Sequence, residues 1–333
     1  MLIALLVCSP LLVQAKPGLD TIAPAAIAAH VRFLADDLLE GRGTGERGHA
    51  IAERYVVSQM QILGLRPAGD GGTYLQEVLV RNVHARIAAK PRDLRSHNVA
   101  GILPATEGDS REVLVVSAHL DHLGVGDPVN GDVIYNGAVD NATGIAEMLE
   151  IARAMAAQPS RKRGVLFLAV TGEELGLLGS AWFVNHPTVP LADLVADLNL
   201  DQLSPMWKPH DAVLRGAEQS SLEDHVRAAA SALGLSISSD PVPEQGFFSR
   251  SDQYNFARAG VPAACLWQGF KDDEGGDSNG EIFRRWRGTR YHHPDDDLSQ
   301  PFDWEAAAQW TRFEFLVAYS VVQGPRPKWK SGR

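Results

Sequence analysis

Three mainly apolar segments constrain the fold of this chain most strongly, at residues 112–118, 164–170 and 194–200, and residues 164–170 are apolar without interruption. Apolar runs without alternating polar residues are typical of strands covered on both faces, as in sheets with helices packed on each side. Residues 142–157, between the first two runs, have the composition of a helix. The sequence therefore predicts an α/β fold with a mixed, mostly parallel central sheet and helices on both faces.

Acidic or imidazole side chains follow each of these predicted strands. The first strand leads into His119 and Asp121, the second into Glu173 and Glu174, and the third into Asp201. Ligands of α/β proteins bind in the crevice at the carboxyl ends of the strands. Acids are costly to place beside buried strands unless they are paired or bind a cation. Three successive strand ends of this kind favour a functional site over solvated surface acids.

Two interpretations of the first strand end remain open from its residues alone. His119 suits a metal ligand whose second ring nitrogen is oriented by Asp121. Asp140 stands just before the helical pattern, where the helix N-terminus favours an anion. A simpler interpretation makes Asp140 a helix cap and His119 a hydrogen-bonded core histidine. The acids that follow the second strand are likewise common as a solvated pair at a helix N-terminus.

Five short motifs stand in the order found in zinc aminopeptidases of peptidase family M28, which this chain resembles. They are His119-Leu120-Asp121, Asp140 to Gly144, Glu173-Glu174-Leu175-Gly176, Asn199-Leu200-Asp201 and His292-His293-Pro294-Asp295-Asp296. Each motif alone is weak, but five in order outweigh chance. The resemblance covers about residues 96–322 and implies the fold of the zinc exopeptidases. Two predicted helices within residues 22–63 are similar to those of secreted bacterial members.

The resemblance implies two zinc ions per chain, bridged by the carboxylate of Asp140. It assigns His119 and Asp201 to one ion, and Glu174 and His292 to the other. Nitrogen and carboxylate oxygen ligands suit Zn²⁺, and two such ions can share one carboxylate and one water molecule. The expected cofactor is therefore a pair of zinc ions.

The resemblance also assigns roles in the reaction. Glu173 is the expected general base, which takes a proton from the water between the ions and passes it to the leaving amine. Tyr291 is expected to stabilise the tetrahedral intermediate, with an aromatic packed at the pocket rim as the alternative. His292 is preferred over His293 as the ligand because it stands four residues before Asp296, with a proline between.

The function implied by the resemblance is that of a metallo-aminopeptidase, which removes N-terminal residues from peptides through a hydroxide that bridges the two ions. One alternative is a glutaminyl-cyclase-like acyltransferase, which uses one zinc ion on the same fold. Another is a receptor or binding protein without activity. The complete set of ligands and base favours the peptidase.

Composition limits the class of partner. The chain has 333 residues, 45% of them hydrophobic, which suffices for a large core. Its formal net charge of −10 argues against a nucleic-acid partner, because phosphate binding needs a clustered basic surface. Peptides are the substrates that the resemblance implies.

The N-terminal residues 1–15 form an apolar stretch too short for a comfortable membrane span. They end in Val13-Gln14-Ala15, which resembles a signal-peptide cleavage site, although no basic residue precedes Lys16. We therefore expect a secreted or periplasmic protein without a membrane span in its mature form, with a retained anchor as the alternative.

Residues 16–333 are expected to form a single peptidase domain. Residues 81–97 are polar and basic, yet too few to form the protease-associated domain that larger relatives insert there. Cys265 is the one cysteine beyond the predicted signal peptide, so the mature chain can form no internal disulfide. Residues 271–288, which are charged and rich in glycine, predict a mobile surface loop that could cover the pocket.

Overall fold

The structure, a computed structural model, describes residues 10–83, 92–108, 110–201 and 206–330. Its strands are β1 (Arg66–Pro67), β2 (Leu75–Val83), β3 (Arg92–Leu103), β4 (Val113–His119), β5 (Gly124–Val129), β6 (Asp132–Tyr135), β7 (Gly164–Val170), β8 (Leu194–Asn199), β9 (Asp211–Val213), β10 (Ser236–Ser238), β11 (Ala263–Ala264) and β12 (Trp267–Gln268). Its helices are α1 (Pro10–Leu19), α2 (Pro24–Leu34), α3 (Arg47–Ile62), α4 (Thr143–Ala156), α5 (Leu178–Asn185), α6 (Leu222–Leu233), α7 (Gln253–Arg258), α8 (Asn279–Thr289) and α9 (Trp304–Gln323).

A seven-stranded sheet forms the centre of the molecule, in the order β1, β3, β7, β4, β8, β11, with β2 also paired to β3. Strands β7, β4, β8 and β11 run parallel to one another. Strand β3 is antiparallel to β7. The predicted mixed, mostly parallel sheet is confirmed. Two smaller sheets accompany it, the hairpin of β5 with β6 and the three strands β10, β9 and β12.

Helices cover both faces of this sheet because its central strands are apolar on both sides. On β4, Leu114, Val116 and Ala118 belong to a large core that includes residues of α2, α4 and α9. Val113 and Val115 on the same strand belong to a second core with residues of α5 and α7. All seven residues of β4 and all seven of β7 are buried. The continuous apolar runs are therefore explained by packing on two faces.

Two segments differ from the sequence-based expectation. Residues 271–288 were expected to form a mobile loop, but α8 occupies the second part of this stretch and continues to Thr289. Phe283 and Trp286 anchor this helix with exposures of 3% and 4%. Strand β3 starts at Arg92, within the polar stretch, and pairs with β2 in an antiparallel ladder. Residues 84–91 of that stretch lie outside the described residues.

The N-terminal region contributes a helix to the core. Residues 1–9 of the predicted signal peptide lie outside the described part of the chain. Helix α1 crosses the expected boundary after Ala15, which is fully buried and whose carbonyl accepts a hydrogen bond from Gln158 (3.1 Å). Among the described helices, none is long and apolar enough to cross a membrane. Cleavage after Ala15 would divide α1 and stays a prediction.

Candidate metal centre

Three adjacent strands bring the site residues together. Strand β4 lies between β7 and β8, and these strands run in one direction, so their carboxyl ends meet at the same sheet edge. His119 is the last residue of β4, Glu173 and Glu174 follow β7, and Asp201 follows β8. Asp140 enters from the short turn Ala138–Ala142 that precedes α4, with a cis peptide bond to Asn141.

One cluster of potential ligands contains His119, Asp140 and Asp201. His119 Nε2 lies 3.2 Å from Asp140 Oδ1 and 3.6 Å from Asp201 Oδ1. One nitrogen or oxygen from each of the three side chains lies within 4.8 Å of the other two. His119 and Asp140 are buried, and Asp201 is partly exposed. Spacing of this order allows three atoms to contact one cation.

A second cluster uses the other oxygen of Asp140. His292 Nε2 lies 3.2 Å from Asp140 Oδ2 and 3.2 Å from Glu174 Oε2. His293, the alternative ligand, instead places its Nδ1 3.3 Å from a carboxylate oxygen of Asp295. The Asp140 carboxylate thus faces one histidine with each oxygen, as a bridge between two cations requires.

His122 also approaches this second cluster. Its Nδ1 is 2.8 Å from Glu174 Oε1, and a group of His122, Asp140 and Glu174 meets the same spacing of 4.8 Å. Within the described residues, neither ring nitrogen of His122 nor Glu174 Oε1 has a partner in hydrogen-bond geometry, although all three atoms are buried. The motifs do not mark His122 as a ligand. Buried, orphaned imidazole and carboxylate atoms fit the chemistry of a zinc site.

The sequence predicted that the Asp121 carboxylate orients His119, and this prediction is wrong. His119 Nδ1 is 3.1 Å from the main-chain oxygen of Asp121 and 4.0 Å from the side-chain Oδ1. The buried carboxylate accepts hydrogen bonds from Glu173 N (3.2 Å), Glu174 N (3.4 Å) and Thr44 Oγ1 (2.7 Å). Asp121 therefore positions the turn that carries the two glutamates.

Asp296 holds the turn that carries Asp140, a role that the sequence did not reveal. Its fully buried carboxylate accepts hydrogen bonds from Val139 N (3.0 Å) and Asp140 N (3.0 Å). Its main-chain oxygen accepts another from Ala138 N (2.9 Å). Because His292 lies four residues earlier, this one segment supplies a potential ligand and fixes the neighbouring turn.

Arg42 is a buried cation beneath the site, and the sequence analysis missed it. Its guanidinium donates to the carbonyls of Leu120 (3.0 Å), Asn136 (2.7 Å), Gly137 (2.9 Å) and Leu34. Burial lowers its pKa to about 10, against the opposing effect of the site carboxylates. The only available signal was its place in the glycine-rich stretch at residues 40–45. Arg42 thus links the end of α2, at Leu34, to the loops that follow β4 and β6.

Sequence comparison identifies the family of this fold and site. The profile of peptidase family M28 matches residues 98–318. The chain belongs to this family. The match spans the sheet from β3 onward, all five motifs and most of α9, so the family resemblance drawn from the motifs is confirmed.

Curated relatives of this M28 chain include several named peptidases. Aminopeptidase YwaD of Bacillus subtilis is 29% identical over 208 residues, which are 61% of this chain and 40% of that protein. Leupeptin-inactivating enzyme 1 of Streptomyces exfoliatus is 26% identical over 302 residues, which are 87% of this chain and 60% of that protein. The chain spans only about two fifths of the length of the first relatives it matches.

Solved structures share the fold at low sequence identity. A zinc aminopeptidase from Bacillus subtilis, BSAP, superposes with a TM-score of 0.65 and 17% identity, covering 94% of this chain and 97% of that structure. A glutaminyl cyclase from Porphyromonas gingivalis superposes with a TM-score of 0.64 and 16% identity, covering 90% and 98%. The zinc-exopeptidase-like fold expected from the motifs is therefore present.

The site of this M28 chain holds opposite charges close together. Burial alone would lower the pKa of His119, but Glu173, Asp140 and Asp201 raise that pKa well above its usual value. Burial likewise opposes ionisation of His292, yet its contacts with carboxylates raise its pKa to about 9. In the absence of metal, the neighbouring carboxylates therefore favour the protonated form of both imidazoles. A cation bound there would replace those protons.

A cleft opens beside these residues. Its polar lining includes His119, Asp140, Glu173 and Asp201. Its aromatic lining is formed by Phe247, Trp267, Phe283, Trp286 and Tyr291. Tyr291 is stacked on His292, with ring centroids 3.9 Å apart. Apart from Tyr291, the sequence could not assign these rings to the site, because they come from segments without motifs.

The donor set fits zinc. Two imidazole nitrogens and three carboxylates converge from five segments, and Asp140 is shared between the two clusters. Zinc in proteins is bound by these ligand types, and its imidazole ligands commonly hold the second ring nitrogen against a main-chain or carboxylate oxygen. His119 does so through the carbonyl of Asp121. The residues present therefore match the chemistry of the metal implied by the motifs.

Proposed function

We propose that this chain is a metallo-aminopeptidase that hydrolyses N-terminal residues from peptides and holds two zinc ions. One observation carries the proposal: the two oxygens of Asp140 face His119 and His292 separately, at 3.2 Å each. Asp201 would complete the first set of ligands and Glu174 the second. Zinc bound there supplies Lewis-acid activation of a water molecule and of the scissile carbonyl group.

Glu173 is the proposed general base. Its carboxylate lines the cleft, while its main-chain nitrogen is held by Asp121 Oδ1 at 3.2 Å. Burial raises the pKa of Glu173 well above its usual value, although the nearby His119 opposes this effect. Bound cations would lower that pKa again and leave the carboxylate able to accept a proton. The same group can then deliver the proton to the leaving amine.

A free N-terminal amine is the proposed recognition element. Three carboxylates, those of Asp140, Glu173 and Asp201, line the cleft close to where the bond would be cleaved. Zinc would offset the charge of Asp140 and Asp201, so this lining alone does not select an ammonium group. Removal of terminal residues, as opposed to cleavage within a chain, is supported by the relatives that are named aminopeptidases.

Tyr291 is proposed to stabilise the negative charge that develops on the substrate carbonyl oxygen. Its ring lines the cleft and stacks on His292. Burial raises the pKa of Tyr291, so its hydroxyl keeps its proton and can donate a hydrogen bond. The loss of turnover in Tyr291→Phe with zinc content unchanged would separate this role from packing at the rim.

A glutaminyl-cyclase-like reaction remains the second candidate. The similarity to the Porphyromonas gingivalis enzyme favours it at the level of the fold. The presence of both ligand clusters in this chain favours the peptidase, because the cyclase reaction proposed as the alternative uses one zinc ion. Conversion of an N-terminal glutaminyl peptide to its cyclic product, with one zinc ion per chain, would support the cyclase instead.

We also propose export of the protein, on the apolar stretch that precedes Lys16. A relative in Mycobacterium tuberculosis carries the name probable lipoprotein aminopeptidase LpqL. Fractionation of producing cells, with N-terminal sequencing of the mature protein, tests both export and cleavage. A chain found only in the cytoplasm, with residue 1 retained, would contradict the proposal.

The experiment that tests the proposed activity is hydrolysis of aminoacyl amides, each with a free and an acetylated amine. Rates are measured on the protein as purified, after chelation and after zinc is restored. We expect cleavage of the free-amine forms alone, lost on chelation and recovered with zinc. Equal cleavage of acetylated forms would contradict the aminopeptidase assignment, and cleavage that survives complete chelation would contradict the metal.

A further inference from the structure

Two arginines line the cleft beside its aromatic rings. Arg250 precedes α7 and Arg287 lies on α8, so two separate elements bring them to the same place. Arg250 Cζ lies 5.5 Å from the centroid of the Phe247 ring. Arg287 Cζ lies 5.2 Å from the same centroid and 5.7 Å from that of Tyr291. Both guanidinium groups therefore converge on one ring of the cleft.

A third arginine in this region, Arg215, is neutralised by a carboxylate of the protein. Arg215 Cζ lies 3.6 Å from the ring centroid of Trp267 and 4.5 Å from that of Phe247. It is buried and forms two hydrogen bonds to the Asp240 carboxylate, at 2.8 and 3.1 Å. Its charge is thus balanced within the protein.

Arg250 and Arg287 have no such counterion. Within the part of the chain that the structure describes, no aspartate or glutamate lies in ion-pair distance of either side chain, and Arg250 donates only a long hydrogen bond of 3.5 Å to the Gln245 carbonyl. Both are more exposed than Arg215. Stacking on aromatic rings holds guanidinium planes in place while their N–H edges stay free. Two uncompensated, partly positioned cations therefore stand at the cleft.

Positive charge is concentrated on the helix that carries Arg287. The chain has a net charge of −10, yet α8 and the residue after it contain four arginines, at positions 284, 285, 287 and 290. The acids that line the same cleft are Asp140, Glu173 and Asp201, which belong to the candidate metal centre. The cleft thus combines three carboxylates, which suit cations, with two arginines, which suit anions.

We propose that Arg250 and Arg287 form a carboxylate-binding subsite, so that the preferred substrates are peptides with a carboxylate near the cleaved residue. The inference rests on the proposed peptidase function. Arginine binds carboxylates through paired, charge-assisted hydrogen bonds. The carboxylate can come from the C-terminus of a short peptide or from an aspartate or glutamate side chain, and both sources present the same chemistry to the two guanidinium groups.

Four peptides distinguish these sources: Leu-Gln-amide, Leu-Gln, Leu-Glu-amide and Glu-Gln-amide. We expect at least one of the three carboxylate-bearing peptides to exceed Leu-Gln-amide in kcat/KM by about tenfold. Arg250→Gln and Arg287→Gln should each reduce this ratio severalfold. The ratio should also fall as salt is raised, because the arginines are partly exposed. The favoured peptide identifies the source of the carboxylate.

Arg285→Gln is the matched control. Arg285 is exposed, lies on α8 two residues before Arg287 and does not line the cleft, but its replacement changes the net charge by the same amount. This variant should keep the ratio of the wild type. Equal kcat/KM for all four peptides, or a ratio that persists in the Arg250→Gln/Arg287→Gln double variant, would overturn the proposal.

Binding gives a readout that does not depend on turnover. Trp267 and Trp286 line the cleft, so tryptophan fluorescence can follow binding of the same four peptides to the zinc-loaded protein. Tighter binding of a carboxylate-bearing peptide, weakened severalfold by either Gln variant, would support the subsite even without hydrolysis. Binding without any preference for a carboxylate would refute it. Failure to hydrolyse any peptide would refute only the peptidase function. Melting curves establish that each variant is folded.

Discussion

Glu173 differs from the other acids of the centre because it belongs to neither cluster of potential ligands. Glu173→Gln keeps the size of the side chain and the main-chain bond to Asp121 but removes the proposed base. We expect zinc content to stay at the level of the wild type and kcat to fall by about 10²- to 10⁴-fold. Hydrolysis of leucine amide, with metal analysis of the same samples, checks both. Turnover at the rate of the wild type would contradict the assignment of Glu173.

His292 and His122 compete for the second ligand position. His292 Nε2 contacts both Asp140 and Glu174, whereas the shortest contact of His122 is with Glu174 Oε1 alone. We therefore expect His292→Ala to bind about one zinc ion per chain. His122→Ala should still bind two, with affinity weakened by about 10- to 100-fold, as expected for a residue behind a ligand. Metal analysis after dialysis against buffered zinc measures this, and the opposite result would make His122 the ligand.

The motifs predicted which side chains meet at the centre, because strand ends and short spacings fix their positions. They could not predict Arg42 or the role of Asp121. Arg42 acts through main-chain carbonyls that any residue could provide, so no spacing in the sequence marks it. The Asp121 carboxylate is directed toward the glutamate turn by the geometry of two neighbouring strand ends. Contacts of this type depend on the folded chain.

At the scale of elements, the segment between α8 and α9 supports the turn that precedes α4. Asp296→Ala would leave the main-chain N–H groups of Val139 and Asp140 buried without their acceptor. We expect the free energy of unfolding to fall by about 2–4 kcal/mol, measured by urea titration.

Asp296→Asn is the control for that loss, because one amide oxygen remains as an acceptor. It should lose less stability than Asp296→Ala and should bind zinc more tightly than the alanine variant. If Asp296→Ala retained the stability and zinc affinity of the wild type, Asp296 would not support the turn.

A buried glutamate joins α3 to β3 and makes stability depend on pH. Glu53 lies within 3.2 Å of ring nitrogens of His49 and His97 and accepts a hydrogen bond from His97 N at 3.1 Å. Burial opposes its ionisation, but these contacts lower its pKa to about 2 from a usual value of 4.5. Because the folded-state pKa is the lower one, the stabilisation is present above about pH 4.5 and is lost as the pH falls toward 2.

Comparison of the wild type with Glu53→Gln measures this contribution. The difference in free energy of unfolding should shrink by about 2 kcal/mol between pH 5.5 and pH 3. His97 acts at the other end of the range. Its contact with Glu53 raises its pKa despite burial, so its stabilisation is present at low pH and is lost as the pH rises through that pKa. A difference that is constant from pH 5.5 to pH 3 would contradict the account of Glu53.

Elements were predictable where the apolar pattern was long and unbroken. Strands β4, β7 and β8 are buried on both faces and were recognised from their mainly apolar sequences. Helix α8 was missed because it is short and rich in arginine and glycine, and its buried face consists of little more than Phe283 and Trp286. The proposed carboxylate subsite lies partly on this helix. It could not be predicted from the sequence for the same reason as the helix itself.

At the scale of the whole molecule, the metal centre joins segments that are distant in sequence. The proposed ligands extend from His119 to His292 and belong to five segments that meet at one edge of the sheet. Without a cation, the carboxylates of Asp140, Glu174 and Asp201 lie close to the imidazoles of His119 and His292 and raise the pKa of these two histidines. Zinc that binds only the folded chain stabilises it by mass action, by about 2.7 kcal/mol at a hundredfold excess over Kd. Activity and stability should therefore rise together on metal binding.

Titration of chelated protein with zinc tests whether two ions are needed for activity, with leucine amide hydrolysis and the melting temperature followed on the same samples. We predict that activity reaches its maximum at two equivalents of zinc per chain and that the melting temperature rises over the same range. Full activity at one equivalent, or activity and melting temperature that do not respond to zinc, would contradict a peptidase built on two zinc ions bridged by Asp140.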